Sequence, residues 1–194
     1  MKNSVAFAFA LLSSCVVTTN GELSKPLPPD PVAVIAQSKV TGKVAGWKPF
    51  PGASIRLETH NGVNRGVAEG KTLFQPDGQF AFALPTGDAL APLLKVGTVT
   101  SACSSLVETP SVKGFVATFA VYNPAGVALG VLKNDSVEYV YVEGPTQLTG
   151  SCLPNGTVVA LALRAGWNAI HVTGGDANSS RWSYMATPAQ PPVQ

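Results

Sequence analysis

Few side chains in this sequence can carry chemistry, and their spacing restricts what that chemistry is. The chain holds three cysteines, Cys15, Cys103 and Cys152, and two histidines, His60 and His171. Zinc-type sites need thiolate and imidazole ligands close together in short spacings. The two histidines stand far from each other and no Cys-x-x-Cys pair is present, so the sequence points to no metal site. Nucleophilic hydrolysis needs a base held against an orienting partner. A Ser–His–Asp set can be drawn from His171, Asp176 and one of the serines, but Gly-x-Ser-x-Gly is absent. An exported hydrolase is therefore a minor reading, and no catalytic residue is assigned. Gly174-Gly175 lacks the Gly-Lys-Ser/Thr context of a phosphate loop. Asp176 and Asn178 start like a calcium loop without the ligands downstream. No cofactor is expected.

The tryptophans offer a binding reading instead. Trp47, Trp167 and Trp182 each lie beside a turn or a strand end, where an exposed ring could stack on a sugar. That would make the protein a carbohydrate- or small-ligand-binding module. The plainer expectation is that at least two of the three are core or edge plugs.

Cys15 belongs to a different pattern. Met1-Lys2-Asn3 is a short positive start, and Ser4–Leu12 is an apolar stretch too short to cross a bilayer as a helix. Leu12-Ser13-Ser14-Cys15 resembles the bacterial lipobox, an aliphatic residue and two small residues before the cysteine that takes the lipid. The resemblance implies a lipoprotein signal peptide over 1–14 and a membrane anchor at Cys15. Several acyl chains hold a protein on a membrane far better than one. Val16, not Asp, follows the cysteine, which implies export to the outer membrane in a Gram-negative-type host. Ordinary secretion, with Cys15 incidental, is the competing reading. Residues 15–31 then form a tether: Pro26, Pro28, Pro29 and Pro31 favour extended polyproline II, a semi-rigid spacer. Residues 188–194 form a similar Pro-rich tail.

With Cys15 lipidated, Cys103 and Cys152 remain. Two cysteines in an exported chain most simply pair. Closing a loop of about 50 residues would restrict the unfolded chain by roughly 4 kcal/mol. Two buried free thiols are the competing reading.

The elements that must position all these groups are strands. Hydrophobic residues make up 45% of the chain, enough for a core, and charged residues only 12%, about half the usual share. A net charge of +2 without a basic cluster argues against nucleic acid. Alternating apolar and polar runs predict strands at Ser38–Ala45, Ala53–Thr59, Gly78–Leu84, Lys95–Ala102, Gly114–Tyr122 and Val127–Leu132. Others are expected at Val137–Val142, Gln147–Ser151, Thr157–Arg164, Trp167–Thr173 and Arg181–Ala186. Pro76-Asp77-Gly78, Asn123-Pro124-Ala125-Gly126 and Pro154-Asn155-Gly156 punctuate them as turns. Only Asp88–Lys95 suits a helix, and Pro92 limits it to about one turn. The fold class expected is all-β, an antiparallel β-sandwich or partly open barrel over residues 32–187.

Within it, Val40-Thr-Gly-Lys-Val-Ala-Gly46, Pro51-Gly-Ala-Ser-Ile-Arg-Leu57 and Pro76-Asp-Gly-Gln-Phe-Ala-Phe-Ala-Leu-Pro85 resemble the transthyretin-like or carboxypeptidase regulatory-like β-sandwich repeat. The resemblance covers about residues 38–86 and implies a prealbumin-like, immunoglobulin-like sandwich, commonly non-catalytic. The purine-pathway hydrolases of that superfamily end in Tyr-Arg-Gly-Ser. This chain ends in Pro-Val-Gln, so that activity is not carried over. Residues 87–187 either complete the same sandwich or form a second part. The leading expectation is a non-enzymatic envelope lipoprotein, held to the membrane by its lipid. It would be an accessory or scaffolding subunit that meets other envelope proteins and, on the alternative reading, glycans.

Overall fold

The computed structural model describes residues 32–34, 38–61, 64–99, 107–152, 157–171 and 181–186. The all-β expectation holds. The first strands are β1 (Val32–Val34), β2 (Lys39–Lys43), β3 (Ser54–Asn61), β4 (Asn64–Val67), β5 (Thr72–Leu73) and β6 (Gln79–Ala83). Then follow β7 (Val107–Thr109), β8 (Gly114–Val116), β9 (Thr118–Tyr122), β10 (Ala128–Asn134) and β11 (Val137–Val142). The last are β12 (Thr146–Cys152), β13 (Thr157–Leu163), β14 (Gly166–His171) and β15 (Trp182–Ala186).

Local chemistry explains several boundaries. Asp77 accepts the Gln79 N–H at 3.1 Å, and Gly78 adopts φ 83°, so the expected Pro-Asp-Gly turn delivers β6. Lys43 also donates to Asp77 at 3.0 Å; that contact and the turn hold the Asp77 carboxyl below the usual range. Asn123 Oδ1 accepts the Val127 N–H at 2.8 Å across the β9–β10 turn. The expected helix is a 3-10 turn, Gly87–Leu90, running into α1, Ala91–Leu94. Pro92 is tolerated because it lies in the first turn, where its missing N–H has no intrahelical partner. The α1 turn packs on β4 so closely that a Cβ on Gly66 would lie 2.5 Å from the Pro92 carbonyl oxygen.

Every registered strand pair is antiparallel. A six-stranded sheet runs β15-β10-β9-β3-β4 with β5 beside β3. A four-stranded sheet runs β1-β14-β11-β8, a three-stranded one β13-β12-β7, and β2 pairs with β6. The four-stranded sheet is apolar on both faces. Phe115, Tyr139, Tyr141 and Trp167 point into a first core with Ile55, Leu57, Phe82, Phe119 and Trp182. Val140, Val142 and Ile170 point the other way, into a second core with Leu148 and Leu163 from the three-stranded sheet. Strands covered on both sides read as near-continuous apolar runs, as Val137–Val142 does.

Two expectations are corrected here. Lys95–Val99 is not a strand; it is a turn and coil leaving α1. The run 114–122 is not one strand. It divides at Ala117, where the chain leaves the four-stranded sheet for the six-stranded one. The first core takes residues from Val40 to Trp182, so the N-terminal and C-terminal halves share it.

Candidate functional site

The tryptophans are placed by these cores. Trp182 is 3% exposed and meets Phe80, Phe119 and Tyr139 ring to ring. Trp167 is 8% exposed, packs on Phe115 and Tyr141, and donates Nε1–H to the Pro85 carbonyl at 3.1 Å. The plainer expectation, core plugs for at least two of the three, holds for these two, although Trp182 also borders a cleft. Each alternates inward along its strand, and apolar burial dominates over the wet role that indole can also play. Trp47 is half-buried. One face is covered by Tyr184 at 4.8 Å and its edge meets Phe74.

Among the described residues a cleft lies elsewhere. β9 and β10 stay in register as far as the Phe119–Leu132 pair. Before Phe119 the chain turns aside, and Ala117 N–H bonds the Tyr139 carbonyl of β11 at 2.8 Å. After Leu132, β10 continues alone beside β15. The divergence opens a cleft of about 460 Å³ lined by Val116–Phe119, Val131–Asp135, Val137–Tyr139 and Trp182. That volume lies in the range of small-molecule sites.

Tyr139 stacks on Trp182 at 6.2 Å and meets Phe119 edge-on. Its hydroxyl pKa is raised above 10 by burial, which disfavours the phenolate. Asn134 caps the crossing from β10 to β11: its Oδ1 accepts the Ser136 and Val137 N–H groups, each at 3.0 Å. Those two donors fix the amide orientation and leave Nδ2 buried without a partner. Asp135 accepts the Arg181 backbone N–H at 2.8 Å and the Ser136 hydroxyl at 3.0 Å. The Arg181 N–H holds the Asp135 carboxyl below its ordinary range.

Tyr139 gives a pH prediction with a definite sign. Its folded pKa lies above the unfolded value, so its contribution is present below pH 10 and is lost as pH rises beyond it. The denaturation midpoint should fall on going above pH 10, and Tyr139→Phe should lessen that fall. Equal slopes in the two proteins would reject the assignment.

A second polar group lies on the outward face of the six-stranded sheet. Leu57 and Ile55 of β3 enter the core, so Arg56 and Glu58 alternate outward. The hairpin sets Arg65 of β4 opposite His60. Glu58 is 3% exposed yet fully engaged. It accepts Arg65 Nε–H at 2.9 Å, a second Arg65 bond through Nη2, and the Tyr122 hydroxyl. His60 Nε2 lies 3.5 Å from Oε2, the oxygen that also takes the Arg65 Nε–H. Residue types alone gave no signal for this cluster: the Ile-Arg-Leu-Glu alternation marks an outward face, but Tyr122 arrives from a distant strand.

Cys15, Cys103 and Asp176 lie outside the described residues. Cys152 and His171 are described as backbone only, at the ends of β12 and β14. Among the described residues no three His, Cys, Asp or Glu side chains gather as metal ligands, and no helix is long and apolar enough to cross a membrane.

Fold and cleft together define a layered antiparallel β-sandwich with an open seam between diverging strands. The chain matches no protein-family model, no curated protein and no solved structure.

Proposed function

We propose that this chain is a non-enzymatic envelope lipoprotein, an accessory or scaffolding subunit displayed at a membrane surface. It is anchored through Cys15, spaced by residues 15–31, and folded over residues 32–187. The outer membrane is its place in a Gram-negative-type host, and the transthyretin-like resemblance of residues 38–86 belongs to the same proposal. The observation that carries the interaction role is the outward face of the six-stranded sheet. There Met185, Val131, Ala120 and Arg56 stand in one cross-strand row. Met185 is 48% exposed, and Leu73 on the neighbouring row is 58% exposed. Apolar side chains among polar neighbours suit a contact with another protein.

The Cys103–Cys152 disulfide fits the same reading. Cys152 ends β12, whose partner β7 begins four residues after Cys103 in the chain. A second reading, an envelope lipoprotein that binds a glycan or other small ligand, is supported by the cleft at Tyr139, whose wall includes Trp182.

Mild-detergent purification from the native envelope with mass spectrometry tests the proposal. A diacylglyceryl-modified Cys15 at the N-terminus is expected, together with partner proteins that are lost from a Leu73→Glu/Met185→Glu double variant. Cys15→Ala should move the protein to the soluble fraction. An unmodified chain that purifies alone would overturn both anchor and scaffold.

A further inference from the structure

The outward cluster holds more positive charge than it can pair. Tyr122 is flanked by two guanidinium groups, with the Arg56 carbon 5.0 Å and the Arg65 carbon 5.5 Å from its ring centroid. Cation–π contact of this kind is attractive but neutralises nothing. The carboxylate available, Glu58, is occupied by Arg65, by Tyr122 and, at 3.5 Å, by His60. Arg56 therefore has no counter-ion among the described residues. Its Nε is buried without an acceptor. A buried charged donor left unmatched is costly, more so than a neutral one. The rest of the Arg56 side chain is only half-buried, on a sheet face that carries exposed Met185 three strands further on.

We propose that Arg56 is the anchor of a binding site for a small oxyanion, a phosphate or a carboxylate, on the outward face of the six-stranded sheet. The planar guanidinium presents paired N–H groups that match such an anion two at a time, so one ligand group can engage Nε and an Nη together. A small side-chain rotation is needed to uncover Nε. Arg65 is already shared with Glu58 and Tyr122 and supplies field rather than a second fork. Tyr122 is the platform that keeps the Arg56 guanidinium at the surface. The site does not depend on lipidation or on the scaffold reading.

The test is an NMR titration of the full-length protein in detergent, following the Arg56 Nε–H and Tyr122 ring signals. Inorganic phosphate and acetate are added separately at constant ionic strength, with sodium chloride as reference. Saturable shifts with phosphate assign a phosphate ligand, and saturation with acetate assigns a carboxylate. Arg56→Gln should weaken binding by about tenfold or more, the loss expected of a charge-assisted bidentate contact. Arg56→Lys keeps the charge but not the fork and should weaken it nearly as much. Lys95→Gln, at the exposed end of α1, should bind like the unaltered protein. Shifts that follow the chloride reference without saturating overturn the site, as does an affinity in Arg56→Gln and Arg56→Lys equal to that of the unaltered protein.

Discussion

Trp182→Ala is expected to lower the unfolding free energy by about 3–5 kcal/mol, the range for emptying a large aromatic site in a core. The indole joins three sheets. Its own strand, β15, pairs with β10, where Trp182 stands opposite Asn134. The two-stranded β2–β6 sheet meets it through Phe80 at 5.3 Å and through a parallel bridge from Val44. Gly42 of β2 leaves room for it, since a Cβ there would lie 2.5 Å from its ring. The four-stranded sheet reaches it through Tyr139 at 6.2 Å. Its neighbours are each held in their own sheets, so a cavity term adds to the lost transfer energy. A domain of ordinary stability has about 5–15 kcal/mol in total, so the variant should stand near its unfolding threshold. Denaturant unfolding followed by far-UV circular dichroism measures the difference. A loss under about 1 kcal/mol would mean that the ring does not link the sheets. The cleft beside Tyr139 should also enlarge in this variant, because Trp182 is part of its wall.

Asn168→Ala should cost about 2–3 kcal/mol, for a different reason. Asn168 is 0% exposed on β14, on the same face as Ile170, in the wall of the second core. Its Oδ1 accepts the Arg164 N–H at 3.1 Å, and its Nδ2 donates to the Arg164 carbonyl at 2.8 Å and the Gly166 carbonyl at 3.0 Å. One side chain thereby satisfies three backbone groups of the β13–β14 turn, where Gly166 adopts φ 98°. Alanine would leave those groups unpaired beside apolar neighbours. Asn168→Asp separates the two halves of the contact. It can still accept from Arg164 N–H but sets an oxygen against two carbonyls, so it should destabilise at neutral pH at least as much as alanine. Thermal unfolding of the pair of variants checks this. An aspartate variant as stable as the original would show that donation to the carbonyls contributes nothing.

The strands and turns were largely legible because their signals are local. Alternation in Ser54–Thr59 and Gln79–Leu84 reports which side of each strand is covered, and Pro76-Asp77-Gly78 closes a turn by bonds within four residues. The short strands β1, β4, β5 and β7 were not legible. Each has two to four residues, too few for a period to register, and each is held by pairing to a distant strand or a hairpin partner. The break at Ala117 was also hidden. The apolar run through it is continuous, because Phe115 and Phe119 both enter the first core although they lie in different sheets. The sites were less legible still. Tyr122 and Glu58 are 64 residues apart in the chain, and only the β3–β9 pairing brings them together.

By itself, then, the amino-acid order determined an all-β chain with a short helical turn near Pro92. It also set the sides on which the longer strands are apolar. Those properties depend on side-chain size, turn preference and neighbours within a few residues. Tertiary structure alone decided which of the three tryptophans are the buried plugs, Trp167 and Trp182, and that the four-stranded sheet serves two cores. It also decided that β9 and β10 part to open a cleft and that Arg56 is left without a counter-ion among the described residues. These depend on which strands become neighbours. That choice is made by the packing of whole faces across long stretches of chain, where many local patterns are equally compatible with several partners.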